Sequence, residues 1–261
     1  MKMPIWQVDA FASQVFAGNL AAVCVLESWL EDRVLQAIAA ENNLSETAFL
    51  VRAGAGFDLR WFTPTMEVAL CGHATLASAK VLFDLRGWKE ESIRFRTRKS
   101  GVLTVEKRGD LLEMDFPSLP ARSVPTPAGL GAALGAEPRQ VLASAEDWLA
   151  VLDDAATVRG LKPDFAALEK FECRCLVPTA RGDKVDFVSR AFAPRLGIPE
   201  DPATGSAHCV LAPYWAGVLG KDELHALQVS ARGGEVFCRN AGARVKLAGR
   251  AAVYLEGTIH V

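Results

Sequence analysis

Few polar residues interrupt the stretch Gly72-His-Ala-Thr-Leu-Ala-Ser-Ala-Lys-Val-Leu-Phe-Asp-Leu85. A helix that is apolar on nearly every side is a buried helix, so the sequence predicts a helix inside its domain over residues 72–85. Strand-like runs surround it, and an amphipathic helix is predicted from Ser28 or Glu31 to Asn42. The predicted strands are residues 5–11, 20–26, 47–52, 57–63, 93–97, 102–107 and 111–116.

The second half of the chain repeats this pattern. Each half has an Arg-x-Phe-x-Pro segment, then a Gly-x-Ala segment that opens an apolar run, then two more glycines in register. Four matches in the same order predict two copies of one α+β unit, in which strands enclose one buried helix. The pairs are Arg60-Trp-Phe-Thr-Pro64 with Arg190-Ala-Phe-Ala-Pro194, at an offset of 130 residues, and Gly72-His-Ala74 with Gly205-Ser-Ala207, Gly87 with Gly220 and Gly101 with Gly234, at 133.

A proline-rich segment marks the boundary between the two copies. Pro117, Pro120, Pro125 and Pro127 fall close together, and such a stretch is typical of an extended linker. We therefore expect an N-terminal half over residues 1–117, a linker over 118–127 and a C-terminal half over 128–249.

Composition excludes several classes of function. The chain has 261 residues, half of them hydrophobic, and a net charge of −2. This charge gives no basic surface for nucleic acid, and no apolar run approaches the roughly 20 residues that span a bilayer. The six cysteines form no Cys-x-x-Cys pair and the four histidines show no metal-ligand spacing. We expect a cytoplasmic protein that binds no metal, nucleic acid or membrane.

The two predicted helix starts are candidate binding sites. A helix N-terminus carries unpaired N–H groups and about half a positive charge, which suits a carboxylate. Gly72 and Gly205 open the two buried helices, and two copies joined by a linker would face each other across a cleft. The sequence thus predicts a small anionic ligand, bound by both helix starts.

Polar residues cluster at the same two places. The first helix start has Cys71 and His73, and the second has Glu200 and Asp201. These residues can carry acid–base chemistry, although Asp201 or Thr204 at a helix start can equally be a simple N-cap.

Glu46 is the third candidate, between an amphipathic helix and a strand. It lies in Asn43-Leu-Ser-Glu-Thr-Ala-Phe49, with apolar neighbours on both sides. If it faces an apolar cavity, desolvation raises its pKa and makes it a proton shuttle near neutral pH. The alternative is a solvated glutamate at the edge of a strand.

Three motifs together resemble those of the PhzF family, the phenazine-biosynthesis-like isomerases of the diaminopimelate epimerase fold. They are Asn43-Leu-Ser-Glu-Thr-Ala-Phe49, Leu70-Cys-Gly-His-Ala-Thr75 and Glu200-Asp-Pro-Ala-Thr-Gly-Ser-Ala207. The resemblance extends from Val8-Asp-Ala-Phe11 to Gln228-Val-Ser-Ala-Arg-Gly-Gly-Glu235. It implies two β-barrel-like halves, each around a central helix, with the active site between them and the last strand, about residues 250–261, returned to the first half.

The resemblance also implies roles for individual residues. The family's catalytic glutamate matches Glu46, its neighbouring His and Asp match His73 and Asp201, and its helix-start serine matches Ser206. The type reaction is the isomerisation of trans-2,3-dihydro-3-hydroxyanthranilate without a cofactor. A single carboxylate takes a proton from carbon and returns one elsewhere. Many members of the family are dimers, so we expect a homodimer.

Two departures bear on mechanism and substrate. The related epimerases use a cysteine at each helix start, whereas here Cys71 has no counterpart, because Cys209 lies one turn into the second helix. After Gly18-Asn19 the chain has Leu20 where the family usually has proline. This turn is near the expected cleft, which makes Asn19 a candidate substrate-binding residue.

Three functions are open at this point. The first is a cofactor-independent isomerase of a small carboxylate that uses Glu46. The second is an amino-acid epimerase or racemase that uses Cys71 with another base. The third is a protein that binds a small carboxylate and catalyses nothing.

Overall fold

The structure is a computed structural model and describes residues 1–261. The chain divides into two compact units. Unit 1 consists of Met1–Asp115 and Ala248–Val261, and unit 2 consists of Phe116–Leu247.

Unit 1 is built of strands and one central helix. Its strands are β1 (Lys2–Ala10), β2 (Asn19–Leu26), β3 (Glu46–Ala53), β4 (Gly56–Phe62), β5 (Glu67–Val68), β6 (Ser92–Thr97), β7 (Val102–Arg108), β8 (Leu111–Pro117, which reaches the boundary) and the final strand of the chain, Ala251–His260. Its helices are α1 (Asp32–Asn42) and α2 (Gly72–Lys80), the second continued by a π-helical turn over Val81–Leu85.

Unit 2 has the same kinds of element. Its strands are β9 (Arg122–Val124), β10 (Gln140–Ala143), β11 (Asp147–Val151), β12 (Cys175–Arg181), β13 (Phe187–Ser189), β14 (Glu223–Gln228), β15 (Gly234–Ala241) and β16 (Arg244–Gly249, which reaches the boundary), so that the final strand is β17. Its helices are α3 (Leu130–Leu134), α4 (Ala155–Gly160), α5 (Phe165–Leu168) and α6 (Gly205–Leu219), with a 3-10 turn at Pro194–Leu196.

The two units pair their strands in the same order. In unit 1, β1–β2 is antiparallel, β2–β3 parallel, β3–β4 antiparallel, β4–β6 parallel and β6–β7 antiparallel. In unit 2, β10–β11, β11–β12, β12–β13, β13–β14 and β14–β15 follow the same alternation. A parallel pair needs a crossover, and in each unit the second crossover carries the central helix. The predicted fold class, two similar α+β halves around one helix each, is confirmed.

Helix α2 is as buried as its apolar sequence predicts. Every residue of α2 from His73 to Ala79 is buried. Thr75 and Ser78 donate their hydroxyls to the carbonyls of Cys71 and Ala74 one turn earlier, which removes the cost of burying them.

Helix α6 contains a proline that its packing accommodates. Pro213 has no N–H, so the carbonyl of Cys209 loses its helical donor. The N–H of Leu119 supplies the missing hydrogen bond at 3.0 Å.

Two details differ from the sequence-based expectations. The helix predicted over 72–85 changes to π-helical geometry after Lys80. The proline-rich segment predicted as a linker contains β9, which pairs with β10 of unit 2. This pairing is possible because the residues between the prolines have backbone N–H and C=O groups that can form hydrogen bonds with a neighbouring strand.

The last strand, β17, pairs antiparallel with β1 and lies in unit 1. No helix combines the length and the apolar composition needed to cross a membrane.

Candidate active site

Glu46 is placed by the turn that joins α1 to β3. Helix α1 ends at Asn42, and the left-handed conformation of its C-cap residue Asn43 (φ 47°, ψ 38°) turns the chain back towards the sheet. Glu46 then opens β3, opposite Ala21 of the parallel neighbour β2. Its side chain is 13% exposed, so the alternative of a solvated glutamate is wrong.

His73 lies against this carboxylate in the first turn of α2. Its Nε2 is 2.9 Å from Glu46 Oε2, and its side chain is 8% exposed. The two groups form a close, buried ion pair when His73 is protonated. The structure therefore brings together two of the predicted catalytic residues.

Asn19 contacts the other nitrogen of the same imidazole. Its Nδ2 is 3.3 Å from His73 Nδ1, and its Oδ1 accepts a hydrogen bond from the Ser45 hydroxyl. A neutral Nδ1 accepts from the amide, whereas an imidazolium needs the carbonyl oxygen instead. The Asn19 amide can rotate by 180° and the Ser45 hydroxyl can donate or accept. Asn19 can therefore donate a hydrogen bond to neutral His73 or accept one from protonated His73, and Ser45 can pair with the other atom of the amide in both cases.

The charges of the pair reverse one sequence-based expectation. Burial raises the pKa of the Glu46 carboxyl, but the positive charge and close contact of His73, with a contribution from Cys71, outweigh it, and the pKa lies below its ordinary value of 4.5. Burial lowers the pKa of His73, but Cys71 and the Glu46 carboxylate raise it by more, to well above 6.5. The expected rise in the pKa of Glu46 is thus wrong in sign. At neutral pH the pair is a carboxylate and an imidazolium.

Cys71 completes this cluster at the N-cap position of α2. Its Sγ is 3.5 Å from His73 Nδ1. Burial, followed by the Glu46 carboxylate, raises the pKa of the thiol to about 11, so it is protonated at neutral pH and a poor base. The ligand atoms of Glu46, Cys71 and His73 lie within 4.8 Å of one another. They are the residues that could hold a metal ion, a grouping that sequence spacing did not reveal.

Asp201 lies at the matching place in unit 2, four residues before α6. Its N–H donates to the carbonyl of Ala191 at 3.0 Å, and its Oδ2 accepts from the Thr204 hydroxyl. Gln228 braces the segment, since its side chain accepts from the Thr204 N–H and donates to the carbonyl of Asp201. These bonds fix the loop that precedes Gly205.

Ser206 follows Gly205 in the first turn of α6. Its Oγ is 3.4 and 3.3 Å from the two terminal nitrogens of Arg174. Arg174 is anchored in turn by Asp147, a carboxylate that is 1% exposed. Because a guanidinium only donates, Ser206 accepts from it and keeps its own hydroxyl hydrogen to donate elsewhere.

Neither central helix has a side chain that caps its start. Cys71 and Thr204 occupy the two N-cap positions, and neither side chain accepts a hydrogen bond from the helix. Thr204 instead donates its hydroxyl to Asp201. The alternative that Asp201 or Thr204 is a simple N-cap is therefore wrong, and the N–H groups after Gly72 and Gly205 keep their affinity for an anion.

Sequence reasoning missed two residues of unit 2. Gln228 begins a motif that carried the family resemblance, which was the only signal for it. Arg174 stands between Cys173 and Cys175, and no local pattern connects it to Ser206, thirty-two positions later.

Comparison with known proteins identifies the family of this chain. The model of a family described as phenazine biosynthesis-like protein matches residues 8–257. This chain belongs to the phenazine biosynthesis-like family. An uncharacterized isomerase of Pseudomonas aeruginosa is 52% identical over 261 residues that cover both proteins completely. A PhzF-family crystal structure from Enterococcus faecalis has a TM-score of 0.98 at 46% identity, with complete coverage of both chains.

The fold extends to proteins with little sequence similarity. A hydroxyproline epimerase from Agrobacterium vitis has a TM-score of 0.61 at 9% identity, covering 99% of this chain and 92% of its own. That similarity shows the fold alone. The predicted family, the predicted epimerase-like fold and the predicted enzyme class, isomerase, are confirmed by these findings.

Proposed function

We propose that this phenazine biosynthesis-like protein is a cofactor-independent isomerase that moves a proton between carbon atoms of a small, carboxylate-bearing substrate. The observation that carries the proposal is the buried contact of 2.9 Å between Glu46 and His73 at the start of α2. Glu46 is the group that takes the proton from carbon and returns it.

The electrostatics of the pair support this role. With its pKa held below 4.5 by His73, Glu46 is ionised at neutral pH and needs no activation to act as a base. Once it holds the substrate proton it is a neutral acid beside an imidazolium, which favours release of that proton to a new carbon. One carboxylate can therefore act as base and then as acid.

We propose substrate-binding roles for polar residues of each unit. His73 and Asn19 in unit 1, and Asp201 and Ser206 in unit 2, supply side-chain donors and acceptors for amino and hydroxyl groups. The uncapped N–H groups that follow Gly72 and Gly205 suit a carboxylate and negative charge that develops during proton transfer.

Proton NMR in D₂O tests the proposal, with trans-2,3-dihydro-3-hydroxyanthranilate as the probe. We expect wild-type protein to convert it with deuterium entering one C–H position. We expect Glu46→Gln, which keeps the shape but cannot accept the proton, to lower the rate by about 10²–10⁴-fold. Exchange that persists in Glu46→Gln and disappears in Cys71→Ser would contradict the role of Glu46 and favour an epimerase that uses Cys71.

A binding protein without catalysis gives a different result. Thermal stabilisation by the probe, with no conversion and no exchange by wild-type protein, would support it. The pKa of about 11 at Cys71 argues against the thiol as base. We also propose a cytoplasmic homodimer, in keeping with six free cysteines, and a light-scattering mass near 28.1 kDa would contradict the dimer.

A further inference from the structure

The repeated Arg-x-Phe-x-Pro segment has no part in the proposed chemistry, yet both copies use it in the same way. Arg60 forms a two-bond pair with Glu67, and Arg190 forms one with Glu200. Each glutamate stands five residues before the glycine that opens the central helix, Gly72 or Gly205. The three residues that change the repeat offset lie between the arginine and its glutamate.

The first pair holds the strand that leads into α2. Arg60 Nε and Nη2 each donate to a Glu67 oxygen at 2.8 Å, and its guanidinium lies 4.9 Å from the centre of the Phe62 ring. The arginine side chain is 3% exposed. Its remaining nitrogen, Nη1, donates to Asp32 at the start of α1. Glu67 is therefore fixed four residues before Cys71.

The second pair has the same geometry. Arg190 Nε and Nη2 donate to the Glu200 oxygens at 2.7 and 2.9 Å, and the guanidinium again lies 4.9 Å from a ring, that of Phe192. Its side chain is 12% exposed, and Nη1 donates to the carbonyl of Leu161. Glu200 is directly followed by Asp201.

Unit 1 has one more arginine–carboxylate pair with two hydrogen bonds, but this pair does not lie near the start of a central helix. Arg96 donates to Asp58 at 2.6 and 2.8 Å, but the arginine side chain is 69% exposed and both residues lie in strands away from the helix starts. An exposed pair contributes little to stability. A buried, two-bond pair restricts geometry as well, because the planar guanidinium fixes the carboxylate in angle and distance.

We propose that Arg60–Glu67 and Arg190–Glu200 are positioning residues of the active site. The first pair sets the backbone that presents His73 to Glu46, and the second sets the backbone that presents Asp201 and Ser206. The proposal deepens the proposed function and rests on it for its kinetic outcome. Neither pair touches the reacting atoms.

Arginine-to-lysine variants test the proposal, because lysine keeps the charge but cannot make the two parallel bonds. We expect Arg60→Lys to lower kcat for the D₂O exchange reaction about 10-fold with KM changed less than about 2-fold, since small misplacements cost rate. We expect Arg190→Lys to raise KM about 10-fold with a smaller change in kcat. Arg96→Lys is the matched control, with both parameters within about 2-fold of wild type.

A second readout needs no substrate. In protein labelled with ¹⁵N-histidine, we expect Arg60→Lys to shift the His73 imidazole signals, and Arg190→Lys and Arg96→Lys to leave them unchanged. In a ¹⁵N-labelled backbone, Arg190→Lys shifts the Ser206 amide and Arg60→Lys does not. If a lysine variant fails to fold, Glu67→Gln or Glu200→Gln replaces it.

The outcomes separate the two proposals. A wild-type protein without turnover would defeat the proposed function and leave the NMR shifts to decide the positioning role. Unchanged His73 and Ser206 signals in the folded variants, or equal kinetic losses in Arg60→Lys and Arg96→Lys, would overturn the positioning proposal.

Discussion

Two histidines in the first turns of the two central helices have opposite electrostatics. His73 in α2 has a pKa well above 6.5, because Cys71 and the Glu46 carboxylate outweigh its burial. His208 in α6 is fully buried, its Nδ1–H donates to the carbonyl of Thr204, and burial lowers its pKa to about 4. Burial thus accompanies a cation in one half and a neutral ring in the other.

The same scaffold thus carries two different sets of polar groups. The strand order, the central helix and the Arg–Glu pair are common to both units. Only unit 1 adds a carboxylate beside the histidine, and this carboxylate is the group that we propose for proton transfer. In unit 2 the matching place has Asp201, Thr204 and Gln228 joined by hydrogen bonds, which suits fixed recognition of a substrate.

The common scaffold is tested by cavities in the two central helices. Leu76 in α2 and Leu211 in α6 are both 0% exposed. We expect Leu76→Ala and Leu211→Ala each to lower the free energy of unfolding by about 2–5 kcal/mol, since each leaves a cavity in a packed core. Urea denaturation followed by circular dichroism measures the loss. If one variant costs less than about 1 kcal/mol, that helix is not the core of its half.

Removal of the Glu46 carboxylate tests the difference in pKa between the two histidines. In Glu46→Gln we expect the pKa of His73 to fall towards its ordinary value, because Cys71 alone then opposes the effect of burial. NMR titration of ¹⁵N-labelled histidine measures this, and the unchanged signals of His208 serve as the internal control. A His73 pKa that is unchanged in this variant would show that the Glu46 carboxylate does not raise it.

The same pair sets a pH dependence in wild-type protein. Glu46 has a lowered pKa, so its contribution to stability is present above 4.5 and is lost as the pH falls through the lower value in the folded state. His73 has a raised pKa, so its contribution is present below 6.5 and is lost as the pH rises through the higher value. Activity that requires both charges therefore has a bell-shaped pH profile, which falls below the pKa of Glu46 and above the pKa of His73.

The sequence predicted more of the fold than of the site. Alternating apolar residues located seven strands of unit 1 to within about three residues, as such patterns can, and four repeated motifs predicted the second unit. The start of α2 placed His73 correctly because a glycine-led apolar run marks where a buried helix begins. The sign of the Glu46 pKa shift was not predictable, since it depends on a distance of 2.9 Å to a residue twenty-seven positions away. The role of Arg174 was not predictable for the same reason, because its contact with Ser206 is made only by the tertiary fold.

The smallest expected effect concerns the glycines that end the two apolar runs. Gly87 and Gly220 have nearly equal left-handed conformations, with φ of +68° and +67°, and an added Cβ would meet nothing within 4 Å at either. Alanine in this conformation costs roughly 1–2 kcal/mol, and the stiffer unfolded chain returns about 0.4–1 kcal/mol of that. We therefore expect Gly87→Ala and Gly220→Ala to destabilise the protein by about 1 kcal/mol each, as measured by urea denaturation. Because both positions are open, neither value includes a steric contact, and the two measurements compare the backbone alone. A loss confined to Gly220→Ala would mean that the chain after the π-helical turn relaxes around Gly87, and that the two halves are alike in fold but not in the rigidity of their helix ends.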